Sequence, residues 1–182
     1  QDATRTDSRT LAKVLRVALD AGATVVNISD TTGTATPREI ASLFDSLSAS
    51  LEDSREANWS LHGHNHRGRA ADNALAALQR GAVQIEGTIN GVGPAGGNTN
   101  LIDVAAMIKA DERLQGGLEH IDLRRLRKIG SLAGLRGFLS SMARGRQAVD
   151  SPVSFRSVAR SRSAPHSPAC RNLRPAAWAR PG

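Results

Sequence analysis

Apolar residues return every third or fourth position between Thr10 and Asp20, at Leu11, Val14, Leu15, Ala18 and Leu19, which predicts a helix with one buried face. Asp7 or Ser8 supplies its cap and Gly22 its stop. Thr24-Val25-Val26-Asn27-Ile28 replaces that period with a β-branched run suited to a buried parallel strand, and Ser29 to Gly33 reads as the polar turn after it. A second helix is announced by Thr36-Pro37-Arg38-Glu39: a capping hydroxyl, proline at the first helical position, and glutamate three residues after the cap. Ile40, Leu43, Phe44, Leu47 and Leu51 form its expected buried stripe. Trp59 to His64 alternates, so that Ser60, His62 and His64 share one face of a strand. An alanine-rich helix runs to Leu78 and stops at Gly81. Val83 to Ile89 is a third strand, a glycine-rich loop covers 91–98, and Leu101, Val104, Ala105 and Ile108 mark another helix.

Strands that alternate with helices at this spacing predict βαβ units, hence a parallel sheet covered by helices. In such folds polar chemistry collects where the strands end. Here the three strands end in Asn27 to Thr31, His62 to His66 and Asn90 to Asn98.

The net charge of +7 suggests a nucleic-acid partner until its distribution is examined. Residues 1–122 hold 11 Lys/Arg against 16 Asp/Glu, whereas residues 123–182 hold 13 against 1. The basicity belongs to the C-terminal stretch, so no specific nucleic-acid partner is expected. Residues 136–182, rich in Arg, Ser and Pro, cannot bury enough apolar surface to offset chain entropy and are expected to lack fixed structure. Cys170 is the only cysteine, which excludes an intrachain disulfide framework and a Cys-rich zinc motif. No apolar run is long enough to span a membrane, and Gln1 to Arg5 has no signal-peptide character, so a cytoplasmic protein is expected.

His62-Gly63-His64-Asn65 carries the candidate chemistry. Two imidazoles one residue apart on an extended chain project to the same side and can reach one divalent ion. With a single cysteine in the chain, any metal must rely on His, Asn and carboxylates, and such N/O ligation suits Zn, Mn or Mg. Gly91-Val92-Gly93-Pro94-Ala95-Gly96 also fits a dinucleotide-binding fingerprint between a strand and a helix. Against that alternative, the acidic residues that follow, Asp111 and Glu112, come after a helix with no strand between.

Five blocks in order resemble the α-isopropylmalate synthase, homocitrate synthase and citramalate synthase family of metal-dependent TIM barrels. They are Gln1-Asp2-Ala3-Thr4-Arg5-Thr6, Ala21 to Gly33, His62 to Asn65, Asn73 to Ala77, and Gln84 to Gly93 with Gly97-Asn98. The wording from Glu86 to Gly93 lies nearest the isopropylmalate branch, with homocitrate and citramalate synthases as alternatives. The resemblance implies an acyltransferase that condenses acetyl-CoA with a small 2-oxo acid in amino-acid biosynthesis. It further implies His62, His64 and Asn98 as metal ligands and Asn27 and Thr31 as contacts to the oxo acid. An eight-stranded barrel needs roughly 250 residues, so the resemblance implies a partial TIM (β/α)8 barrel, about strands 5–8 with their helices, over residues 1–115. Residues 116–135 are then the start of a post-barrel helical region. Two departures stand out: His66 replaces the family's aspartate, and Pro94-Ala95 replaces an acid and an arginine. The Asp-Arg-Glu strand that completes the metal site has no counterpart here. These departures imply a fragment inactive on its own, a half-barrel that pairs with another half or with itself.

Overall fold

The computed structural model describes residues 1–51, 57–114, 118, 120–144 and 154–158. Helix α1 (Ser8–Asp20) opens at Asp7, whose carboxylate accepts from the Thr10 amide, and is followed by Gly22 at a φ of 100°. Strand β1 (Val25–Asp30) leads to α2 (Pro37–Ser50), where Thr36 and Glu39 form the reciprocal capping box that their spacing predicts. Such a cap contributes about 1 kcal/mol. Strand β2 (Asn58–Gly63), α3 (Ala70–Gln79), β3 (Ala82–Thr88), α4 (Leu101–Ala110) and α5 (Leu123–Arg144) follow in order. None of the described helices is long and apolar enough to cross a membrane.

β1, β2 and β3 pair in parallel, with Asn27 beside Ser60 and Ser29 beside His62 across the first pair, and Ser60 beside Gln84 and His62 beside Glu86 across the second. Side chains alternate along each strand, so these registers stack polar rows on one face of the sheet: Asn27, Ser60 and Gln84, then Ser29, His62 and Glu86. The opposite face carries Ile28, Leu61 and Ile85, each almost fully buried. The helices cover that face and close a core around Phe44, Leu19, Ile40, Leu47, Leu78, Val104 and Ile108. Phe44 tilts against Trp59, with ring centroids 6.0 Å apart. The result is an arc of a barrel, apolar outward under its helices and polar inward. A polar inner row is what aims His62 and Glu86 toward each other.

Three expectations change. β1 is buried on one face only: Val26, Ile28 and Asp30 are buried while Val25 and Asn27 are exposed. A barrel strand gains cover on its inner face by closure, which three parallel strands cannot achieve. β1 also runs on to Asp30, because that carboxylate is fully buried, accepting from Thr4 Oγ1 at 3.0 Å and the Ala35 amide at 3.3 Å, rather than sitting in a solvated turn. Within the stretch expected to lack structure, α5 continues to Arg144 and β4 (Ser154–Val158) pairs antiparallel with β3. An edge strand presents unpaired amides and carbonyls, which a segment of almost any composition can satisfy. The rest of 136–182 lies outside the described residues.

Candidate metal centre

The loop that follows β3 is stapled onto the end of β2. Asn65 donates its amide to Gly97 O at 2.7 Å, Thr99 donates to Gly63 O at 3.0 Å, and Thr88 donates to Thr99 O at 2.9 Å. Asn98 forms an isolated bridge opposite His64. Three separate sequence blocks thus meet at one end of the sheet. Asn90 at φ 61° and Gly91 at φ 67° turn the chain out of β3, and Asn98 N returns to Gly91 O at 2.8 Å.

His62 Nε2 and His64 Nε2 stand 3.3 Å apart, with the rings nearly perpendicular at 81°. His64 Nδ1 lies 2.6 Å from the carbonyl oxygen of Thr31. A carbonyl can only accept, so that nitrogen carries the proton and Nε2 of the neutral ring presents a lone pair. Burial of the His62 ring holds its pKa below the ordinary imidazole value, and the neighbouring His64 acts in the same direction, against the opposing pull of Glu86. The His62 ring is therefore biased toward its neutral form. Two nitrogens bound to one tetrahedral ion at about 2.0–2.1 Å stand about 3.3–3.4 Å apart, which matches the observed separation.

Among the described residues no three His, Cys, Asp or Glu side chains are grouped so as to hold one metal ion. Further donors among the described residues must be of another type. Asn98, bridged to the backbone opposite His64, is a candidate: its Nδ2 donates to Val92 O at 3.0 Å, which fixes the amide, and its buried Oδ1 has no hydrogen-bond partner. A buried acceptor left unpaired costs about 1–3 kcal/mol, a cost that a cation would remove. The donor set of two imidazoles and an amide oxygen fits a divalent ion of borderline hardness.

The other candidate residues are placed as follows. Asn27 Nδ2 donates to Glu86 Oε2 at 2.9 Å, and Thr31 Oγ1 accepts from the Asp2 amide at 2.7 Å. Both lie on or just beyond β1, beside the histidine pair. His66 is exposed, one residue beyond the staple. The residue that sequence analysis left without a role at the site is Glu86, named there only within the resembling block. Its Oε2 lies 3.5 Å from His62 Nδ1, and its Oε1 accepts from Gln84 Nε2 at 3.3 Å. The signal that could have found it is its place on the third strand at the level of His62.

The dinucleotide reading fails on local geometry. α4 begins at Leu101, five residues after Gly96, and its first turn is capped by the Asn100 side chain, which accepts from the Ile102 amide. In the fingerprint the glycines deliver phosphate directly to the helix N-terminus. Here they return the chain to the end of β2.

Residues 1–132 match the HMGL-like family. A 2-isopropylmalate synthase from Xanthomonas campestris pv. campestris (strain B100) is 48% identical over 109 residues, which are 60% of this chain and 21% of that protein. One from Staphylococcus aureus (strain JH9) is 40% identical over 140 residues, 75% of this chain and 28% of that protein. Among solved structures, the HMG-CoA lyase from Brucella melitensis superposes with a TM-score of 0.57 at 26% identity, over 71% of this chain and 46% of that one. The carboxyl transferase domain of Rhizobium etli pyruvate carboxylase superposes at 0.56 with 21% identity, over 68% and 20%, and speaks to the fold alone. The chain thus spans about a fifth to a quarter of the length of the synthases it matches.

Proposed function

This chain belongs to the HMGL-like family, and from that premise we propose that it is the metal-binding segment of a 2-isopropylmalate synthase-type enzyme, which joins acetyl-CoA to a 2-oxo acid. The observation that carries the proposal is the pair of imidazole nitrogens 3.3 Å apart, with Asn98, whose buried Oδ1 is unpartnered, bridged to the backbone opposite His64. His62, His64 and Asn98 would hold a divalent ion, Mn, Mg or Zn. When bound, that ion supplies Lewis acidity to a carbonyl oxygen. The chain's own residues fix the ligands: Thr31 O locks the His64 tautomer, and Val92 O orients the Asn98 amide. Asn27 and Thr31, on the β1 side of the pair, would contact the oxo acid. A base for the acetyl methyl and a carboxylate for the metal would come from outside these residues, so the isolated chain is proposed to be inactive. Homocitrate and citramalate synthases would use the same chemistry on other oxo acids, and the 40–48% identity to 2-isopropylmalate synthases supports that branch.

Calorimetric titration of the 182-residue chain with zinc is expected to show one equivalent bound. Incubation with acetyl-CoA and a branched 2-oxo acid is expected to release no free thiol above background. Absence of any zinc binding would overturn the metal assignment, and steady thiol release would overturn the need for further chain.

The exposed inner face of β1 and its position at the end of the sheet support a second proposal, that the arc completes itself against further barrel strands or a second copy. Size-exclusion chromatography at rising concentration is expected to show self-association. A monodisperse monomer throughout would count against it.

A further inference from the structure

The proposed metal site requires His62 to present an Nε2 lone pair, rather than an N–H, to its neighbour. His64 is already committed as an acceptor at Nε2 by its bond to Thr31 O. If His62 carried its proton on Nε2, the 3.3 Å contact would be an ordinary hydrogen bond between the rings, and no lone pair would be free for an ion. What decides between the two tautomers is the group that faces His62 Nδ1. That group is the Glu86 carboxylate, 3.5 Å away across the β2–β3 register.

Glu86 is itself held in place. Asn27 Nδ2 reaches its Oε2 from β1 at 2.9 Å, and Gln84 Nε2 reaches its Oε1 from one row below at 3.3 Å. Each of the three parallel strands therefore contributes one side chain to a brace around one imidazole. Both amides donate to the carboxylate, which only accepts, so the remaining lone pairs of Glu86 can be matched only by another donor. His62 Nδ1 is such a donor, 3.5 Å from Oε2. Carboxylate partners of ligand imidazoles fix ring orientation and basicity.

We infer that Glu86 is a positioning residue: it holds the proton of His62 on Nδ1, so that the Nε2 lone pairs of His62 and His64 face each other across a gap of ion-pair-ligand width. The inference rests on the metal reading proposed above, because without an ion the two lone pairs would have no common partner. It assigns a purpose to the Asn27–Glu86 bond that neither residue has alone. Oε2 is the oxygen that both accepts from Asn27 and faces His62 Nδ1, so a glutamine that keeps its oxygen on Asn27 still offers His62 an acceptor. An alanine removes the acceptor and frees the His62 proton to move to Nε2, where it donates to His64.

Nitrogen-15 long-range NMR of the imidazoles in the full 182-residue chain, without metal and at a pH where both rings are neutral, reads the tautomers directly. The unmutated chain is expected to show His62 and His64 both as Nδ1–H. Glu86→Ala is expected to convert His62 to Nε2–H, leave His64 unchanged, and weaken zinc binding by about 10- to 100-fold in a chain that still unfolds cooperatively. His62 found as Nε2–H in the unmutated chain overturns the inference without any mutant, and so does a Glu86→Ala chain that keeps both the tautomer and the zinc affinity. An unmutated chain with His62 as Nδ1–H that takes up no zinc supports the role of Glu86 and overturns the metal reading instead.

Discussion

His64→Ala is expected to weaken binding of a divalent ion by more than about 100-fold, exceeding the 10- to 100-fold loss typical of a residue that only supports a ligand. The substitution removes one of the two converging nitrogens and leaves His62 and Asn98 as donors too few to hold an ion. It also frees Thr31 O from its 2.6 Å partner. That loss is about 1 kcal/mol for a hydrogen bond whose site is only part-buried and open to replacement by water. The measurement is therefore a pair: zinc affinity by calorimetry and the unfolding midpoint by denaturant. A large drop in the first with a small change in the second supports His64 as a ligand. Affinity equal to that of the unmutated chain would show that the histidine pair is not the site.

Gly33→Ala is expected to damage both stability and the site. Gly33 sits at φ 62°, and a Cβ built there would lie 2.7 Å from the carbonyl carbon and oxygen of His64 and from the amide nitrogen of His66. The left-handed conformation alone costs an L residue about 1–2 kcal/mol. The contact adds to that, because the obstructing atoms are backbone and cannot rotate away. Gly33 is also bonded at both ends: its amide donates to Asp30 O at 3.1 Å, and its carbonyl accepts from the Arg67 amide at 3.2 Å. The turn after β1 is thus clamped against the turn after β2. A destabilisation of about 2 kcal/mol or more is expected in denaturant unfolding, together with weaker zinc binding as the 64–66 backbone shifts. A Gly33→Ala chain with unchanged midpoint and unchanged affinity would show that the close approach is not needed.

Periodicity was sufficient for most of the scaffold. The capping box at Thr36 and Glu39, the stop at Gly22 and the stripe of Ile40, Phe44 and Leu47 stand where their spacing places them. These are local signals, set by hydrogen bonds and side-chain directions within a few residues. Leu43, assigned to the same stripe, is only partly buried, since the width of a buried face depends on what packs against it. The histidine pair was equally legible, because two residues at a period of two must share a strand face. Glu86 was not, since its value arises from lying beside His62 across a parallel register that no local pattern reveals.

The sequence by itself determined that helices and parallel strands alternate, that polar blocks end the strands, and that His62 and His64 point the same way. Only the tertiary structure decided which atoms meet. It set the two Nε2 atoms 3.3 Å apart, turned His64 Nδ1 to Thr31 O, left Asn98 Oδ1 without a partner and put Glu86 behind His62. The physical reason is one of range. Secondary structure follows from neighbours along the chain, whereas the meeting of these side chains depends on strand register and loop closure, which are fixed by contacts among residues dozens of positions apart.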